Sequence, residues 1–111
     1  MFTDKPYATF FQAYIEAALW ADAPEGSEIN FNDLPLDVKE DMWNDCVVFY
    51  DNYSHMWSDD SQAGHDFWLT RQHHGAGFWD RDESVYGEFA TILTEKSQAF
   101  GEAYYDFMLE D

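Results

Sequence analysis

The sequence has little positive charge: five Lys and Arg residues stand against 23 Asp and Glu residues, and the formal net charge is −18 at pH 7. From Glu40 to Thr70 there are seven carboxylates and no Lys or Arg. Because proteins bind the phosphate backbone mainly through Lys and Arg, this composition argues against direct binding to nucleic acid. The same charge opposes compaction through self-repulsion.

Cysteine and long apolar runs are also scarce. A single Cys46 cannot form an internal disulfide, which indicates a reducing, intracellular setting. We expect neither secretion nor membrane spanning, because the sequence has no basic segment followed by an apolar run and no apolar stretch of about 18 residues. Acidic neighbours disfavour a Cys46 thiolate, so nucleophilic catalysis is not predicted.

Aromatic residues, by contrast, make up 20% of the chain. Disordered chains of comparable acidity lack such residues, so the composition predicts a folded protein with an aromatic core. A length of 111 residues is enough for one hydrophobic core and too short for two. Residues 1–111 are therefore predicted to form a single acidic domain.

Two segments have the apolar spacing of amphipathic helices. The first runs from Tyr7 to Ala21, with Asp4 as the expected N-cap and Pro6 in the first turn. The second runs from about Leu34 to Ser54, with Asp33 as the expected N-cap, and has the clearest amphipathic pattern. Its predicted buried stripe consists of Val38, Met42, Cys46, Phe49 and Tyr53.

The stretch from Ala63 to Arg81 carries the densest group of aromatic, histidine and arginine residues. Two aromatic-rich runs, Asp66 to Arg71 and Phe78 to Arg81, flank a Gly/His connector, which predicts a β-hairpin. A third helix is predicted from near Ser84, and Ala103 to Leu109 is either a third strand or a helical continuation. The predicted fold class is therefore α+β, with three helices packed on a small antiparallel hairpin or three-stranded sheet.

Four motifs occur together along the chain. They are YIEAALW at residues 14–20, Asp45-Cys46 with Phe49, GHDFWLTR at 64–71 and HGAGFWDR at 74–81, and they are accompanied by Leu93-Thr94 and Phe100-Gly101-Glu102. With these motifs the chain resembles a family of small, largely uncharacterised proteins encoded by bacteriophages and bacterial mobile elements. Relatives tend to carry Asn-Gly where this chain has Gln72-His73. The resemblance implies expression in a bacterial cytoplasm and implies no particular activity.

Charged and imidazole side chains cluster along the predicted hairpin. The cluster consists of His65, Asp66, Arg71, His74, Asp80 and Arg81. If the two strands pair, Asp66 and Arg71 lie near Arg81 and Asp80, and such charge pairs pin the hairpin. Two other interpretations stay open: a divalent metal held by His65, Asp66 and His74, and recognition of a partner by the loop. The spacing matches no strong metal motif, so no metal or other cofactor is predicted.

Carboxylates also recur along the second predicted helix. Asp33, Asp37, Asp41 and Asp45 follow a four-residue step, and Glu40 and Asp51 widen the band. Four helical residues rise by about 6 Å, which is of the same order as the phosphate spacing along a DNA strand. Such a face can occupy the basic groove of a DNA-binding enzyme. The simpler interpretation is a solvated face.

These observations favour a non-enzymatic phage anti-defence protein in the host bacterial cytoplasm. It would act as an acidic DNA mimic on a host protein with a basic DNA-binding groove, such as a restriction or CRISPR effector. The predicted contact residues are Asp33, Asp37, Glu40, Asp41, Asp45, Asp51, Asp59, Asp60, His73 and His74.

Two alternatives remain, an adaptor that binds a protein through the hairpin loop and a small metal-dependent enzyme. The protein is expected to be a monomer or small homo-oligomer that binds neither nucleic acid nor membranes.

Overall fold

Helices contain 73% of the residues that the computed structural model describes, which are residues 2–23 and 29–103. The α-helices are α1 (Ala8–Asp22), α2 (Leu36–Tyr53), α3 (Asp60–Arg71), the single turn α4 (Glu83–Tyr86) and α5 (Ala90–Ala99). Short 3-10 helices lie at Phe31–Asp33, Ser54–Met56, Phe78–Asp80 and Gly87–Phe89, and the last of these joins α4 to α5. Residues 2–23 and 29–103 contain no strand.

The predicted α+β fold class is wrong, because the described chain is an all-helical globule. The first predicted strand, Asp66 to Arg71, is the second half of α3. The second, Phe78 to Arg81, is mainly the 3-10 helix Phe78–Asp80. The third candidate strand, Ala103 to Leu109, lies outside the described residues except for Ala103, which belongs to no helix or strand.

Helix α3 begins with a side-chain cap and ends in a left-handed turn. The Asp59 carboxylate accepts a hydrogen bond from the Gln62 amide N–H at 3.1 Å. At the other end His73 has φ of 59°, and the His74 amide N–H donates to the Leu69 carbonyl oxygen at 3.0 Å. This Schellman pattern usually has glycine at the left-handed position. Because His73 occupies it here, the sequence carries no strong signal for the end of a helix.

The closest helix packing is between α1 and α3, which share the most extensive contact between elements. Gly64 makes this approach possible, since a Cβ atom at that position would overlap the Phe10 carbonyl group. Ala13 and Ala17 on α1 are buried as well. Helix α1 is consequently buried over more of its surface than a single amphipathic stripe predicts.

Aromatic rings fill the space between the helices. Phe49 of α2 stacks on Phe67 of α3 with ring centroids 4.1 Å apart, and Phe10 of α1 stacks on Trp57 at 5.3 Å. Phe78, which follows the loop after α3, stacks on Phe49 at 6.0 Å. The predicted aromatic core is confirmed.

The buried residues of α2 mostly agree with the prediction, but its N-cap residue does not. Val38, Met42, Cys46 and Phe49 are buried as predicted, whereas Tyr53 is half-buried. Asp33 does not cap α2, whose N-cap residue is Pro35, because Asp33 belongs to the preceding 3-10 helix. There its carboxylate accepts a hydrogen bond from the Asn30 amide N–H at 3.0 Å.

The start of α1 also differs from its prediction. The backbone carbonyl of Asp4, and not its side chain, accepts hydrogen bonds from the amides of Tyr7 and Ala8. Pro6 precedes the helix and follows a cis peptide bond. No helix in the described ranges is both long enough and apolar enough to cross a membrane.

The segment after α5 is attached to the end of α3. Gly101 follows the C-cap residue Phe100 and has φ of 78°, because glycine accepts the left-handed backbone that ends many helices. Beyond it, the Gln72 side chain makes two hydrogen bonds with the backbone of Ala103. Its Nε2 donates to the carbonyl oxygen at 2.8 Å, and its Oε1 accepts from the amide at 2.6 Å.

Candidate functional site

Asp66 lies fully buried at the centre of a hydrogen-bonded group. Its carboxylate accepts two hydrogen bonds from Arg81 Nε, at 3.0 and 3.2 Å, and one from Arg81 Nη2 at 2.6 Å. It also accepts one from the Tyr86 hydroxyl at 2.6 Å and one from Gln62 Nε2 at 3.1 Å. Burial, and then the hydrogen bond to Asp66, raise the pKa of Tyr86, while the bonds to Asp66 raise the pKa of Arg81. The group therefore holds α3 to the segment that leads into α4.

The predicted ion pair between Asp66 and Arg81 is present, although no strands pair there. The second predicted pair, between Arg71 and Asp80, does not form. Instead, Arg71 Nη1 donates to Asp45 on α2 at 2.7 Å and to the Tyr14 hydroxyl on α1 at 3.0 Å. Arg71 Nε donates to the Gly101 carbonyl oxygen at 2.7 Å. Arg71 thus ties α3 to α1, α2 and the segment after α5.

The three residues considered for a metal site point to different partners. Asp66 is enclosed by Arg81, Tyr86 and Gln62, while His65 faces Trp20 with ring centroids 6.1 Å apart. His74 Nε2 lies 2.9 Å from Asp22 Oδ2, which also accepts a hydrogen bond from Trp68 Nε1. Within residues 2–23 and 29–103, no group of three or more His, Cys, Asp or Glu side chains is arranged to hold a metal ion.

Several of the predicted partner-binding acids are engaged inside the protein. Asp59 caps α3, and Asp60 accepts hydrogen bonds from Trp57 Nε1 at 2.9 Å and from the Tyr50 hydroxyl at 3.2 Å. Asp51 accepts one from the Tyr7 hydroxyl at 2.8 Å. Together with Asp33 and Asp45, described above, these residues have structural partners. His73 also lies near a carboxylate, with its Nε2 3.9 Å from Glu102 Oε1.

The outer face of α2 retains carboxylates without such partners. Asp37 and Asp41 are exposed and Glu40 is half-buried, and none of the three forms a hydrogen bond or ion pair with another described side chain. Asn44, Val48 and Asp51 continue this face at helical spacing. Val48 is 50% exposed, and Leu36 at the start of the helix is 61% exposed. We refer to Asp37, Glu40 and Asp41 as the outer acidic patch.

The cations of the described chain do little to balance this patch. Both arginines bind carboxylates within the fold. The remaining cations are the three lysines, Lys5, Lys39 and Lys96. Lys39 lies on α2, with its Nζ 4.7 Å from the centroid of the Phe31 ring. The outer acidic patch therefore has no arginine to neutralise it.

Cys46 is fully buried, and this burial raises the pKa of its thiol. The nearby Asp45 carboxylate raises it further, and Arg71 opposes this effect. A thiolate is the nucleophilic form of cysteine, so this environment disfavours nucleophilic chemistry at Cys46.

Sequence reasoning missed three residues that organise this region. The hydroxyls of Tyr14 and Tyr86 bind Arg71 and Asp66. Asp22, the last residue of α1, joins this helix to Trp68 and His74. A buried tyrosine needs a hydrogen-bond partner for its hydroxyl, and this requirement was the only signal in the sequence for the roles of the two tyrosines.

No protein-family model, curated protein or solved structure matches this chain. The resemblance to phage and mobile-element proteins stays a prediction.

Proposed function

We propose that this protein is a non-enzymatic DNA mimic that acts in a bacterial host. The outer acidic patch on α2 would occupy the basic DNA-binding groove of a defence effector, such as a restriction or CRISPR nuclease. The availability of Asp37, Glu40 and Asp41 carries the proposal, because other predicted contact acids already have partners within the fold. An unpaired carboxylate can meet a partner's Lys or Arg without first breaking an internal contact.

The dimensions of the α2 face support this proposal. From Asp37 to Asp51 the helix rises by about 21 Å, which is long enough to follow part of a DNA-binding groove. Carboxylates lie at both ends of the face, while Asn44 and Val48 lie between them. The half-exposed Val48 would add an apolar contact that DNA itself does not offer. We therefore expect binding to depend mainly on charge, with a smaller apolar contribution.

The test uses a triple variant that reverses the outer acidic patch, Asp37→Lys, Glu40→Lys and Asp41→Lys. Its matched control is Glu83→Lys, Glu88→Lys and Glu95→Lys, which changes the net charge equally on exposed residues of α4, α5 and their junction. Asp37 and Glu83 both lie in the first turn of a helix, so the two variants lose similar interactions with a helix dipole.

Both variants are expressed in bacteria that carry individual restriction or CRISPR systems, and phage plating efficiency is measured. We expect the wild-type protein and the control to restore plating against the sensitive system, and the patch variant to lose this effect. Inhibition of the purified effector should weaken as salt is added, since exposed charges are screened. Equal activity of the patch variant and the control would contradict the proposal.

A second candidate function is that of an adaptor that binds a protein partner. Exposed residues in the segment after α3 favour it. Trp79 is 51% exposed and His73 is exposed. Trp68, by contrast, is fully buried and cannot serve as a contact. Under this alternative, Trp79→Ser would abolish phage-related activity that the patch variant retains.

A further inference from the structure

A groove of about 710 Å³ lies between the end of α1 and the loop that follows α3. Trp20 of α1 lies beside His65 of α3, Leu69 of α3 also lines the groove, and His74 and Ala76 come from the loop. Arg81 also lines it. Trp20 is 77% exposed, the largest exposed fraction among the large apolar side chains of the described chain. The same face thus combines a protruding indole ring with a concave surface.

This groove differs from its surroundings in charge. None of the described residues that line it is Asp or Glu. Glu16, by contrast, lines both of the other prominent grooves, and Asp59 lines one of them. The two carboxylates bonded to groove residues are Asp22, which pairs with His74, and Asp66, which pairs with Arg81. Although the chain has a net charge of −18, the described residues give this face little unpaired negative charge.

This face suits a partner that is acidic, because it adds little repulsion among the described residues, and that carries an exposed aromatic side chain for the groove. A second copy of this chain has both properties. A two-fold symmetric contact also requires that one face supply both the protruding and the receiving surface. Trp20 stands beside the groove that would receive Trp20 of the other copy, which satisfies this requirement.

We propose that this groove is the contact between two copies of the chain in a symmetric homodimer, in which Trp20 of each copy enters the groove of the other. This proposal does not rest on the proposed DNA mimicry, because it uses a different surface. The two interactions also respond oppositely to salt. Screening weakens the attraction between the outer acidic patch and a basic partner, whereas it relieves the repulsion between two acidic copies.

The experiment is sedimentation velocity of the full chain over a concentration series, at low salt and at about 0.5 M salt. We expect a monomer–dimer equilibrium that shifts toward the dimer at high salt. Trp20→Ser should raise the dimer dissociation constant by about tenfold or more, as loss of a central tryptophan contact does. Trp79→Ser is the matched control, because it removes an exposed tryptophan that does not line the groove.

A second variant, Ala76→Glu, adds a carboxylate to the groove without removing an aromatic ring. It should also favour the monomer, and circular dichroism should show unchanged helix content for all three variants. A wild-type chain that remains monomeric at high salt, or a dimer that persists in both Trp20→Ser and Ala76→Glu, would overturn the proposal. Neither result would affect the phage-plating test of the outer acidic patch.

Discussion

Helices α2 and α3 both contain many polar residues, but they differ in where these side chains lie. In α3, eight of the twelve residues are buried, and Asp66, Thr70 and Arg71 are among them. In α2, four of the eighteen residues are buried, all of them apolar or cysteine. The polar side chains of α3 therefore bind other parts of the fold, while α2 keeps a carboxylate-rich outer face. A dense group of charged residues in a sequence can thus mark a structural centre as readily as a binding site.

The largest expected difference between the two helices is the effect of removing a carboxylate. Asp66→Ala would leave Arg81 and the Tyr86 hydroxyl without their shared partner, so we expect unfolding free energy to fall by about 3–5 kcal/mol. Asp41→Ala removes an exposed carboxylate with no described partner and should change stability by less than about 0.5 kcal/mol. Urea unfolding of both variants measures this difference, and similar losses would remove the distinction between α2 and α3.

The close packing of α3 against α1 can also be tested. Gly64→Ala would place a methyl group against the Phe10 backbone of α1, and overpacking of this kind costs about 1–3 kcal/mol. Gly75→Ala is the control, since nothing lies within 4 Å of the position that its Cβ atom would occupy. If Gly64→Ala had the thermal stability of the wild-type protein, the close α1–α3 approach would be incorrect.

A smaller effect is expected from two tyrosines that each donate a hydrogen bond to an aspartate. Burial and the bond to Asp66 raise the pKa of Tyr86 above its ordinary value of 10.0, so the folded state holds this proton more tightly than the unfolded chain. The contribution of Tyr86 to stability is fully present below about pH 10 and is lost as pH rises further, by up to about 1.4 kcal/mol per pH unit.

Urea unfolding at pH 8, 10 and 11 measures this alkaline loss of stability. Tyr86→Phe removes the titrating hydroxyl and should make the loss smaller. Tyr7, whose exposed hydroxyl donates to Asp51, supplies the control. Its pKa is also raised, chiefly by that hydrogen bond, but solvent screens the interaction. Tyr7→Phe should therefore leave the alkaline slope nearly unchanged. An equal reduction in both variants would contradict the assigned role of Tyr86.

The smallest expected effect concerns the outer acidic patch. Glu40→Gln with Asp41→Asn relieves repulsion between neighbouring carboxylates, so stability at low salt should stay constant or rise by about 0.5 kcal/mol at most. The gain should disappear at about 1 M salt, where charges are screened within about 3 Å. A clear loss of stability at low salt would mean that these carboxylates have partners in the fold.

Helices α1 and α2 could be predicted because their apolar residues recur at helical spacing. The same approach failed for α3, where the polar residues face inward and leave no pattern of one apolar and one polar face. Its β-prone Phe67 and Trp68, together with a left-handed His73 in place of glycine, made a helix harder to recognise.

The candidate site was predictable only in part. The four-residue carboxylate spacing identified Asp37 and Asp41, but it could not separate them from Asp45, because the partner of Asp45 lies 26 residues away in the sequence. It could not separate them from Asp33 either, whose carboxylate binds a backbone amide before α2 begins. Such pairings depend on tertiary structure and leave no local periodicity.

The two hydrogen bonds between Gln72 and Ala103 have a consequence for how the segment after α5 is held. A side-chain amide has the same donor and acceptor groups as a peptide bond, so Gln72 pairs with Ala103 much as a neighbouring strand would. One end of the amide donates to the Ala103 carbonyl oxygen and the other accepts from the Ala103 amide, so both backbone polar groups of Ala103 are satisfied by one side chain. Glutamate would keep the shape of the side chain but lose the donor, and asparagine would be one methylene group shorter. A single glutamine thus holds the backbone at Ala103 in the way that a neighbouring strand does in folds with sheets.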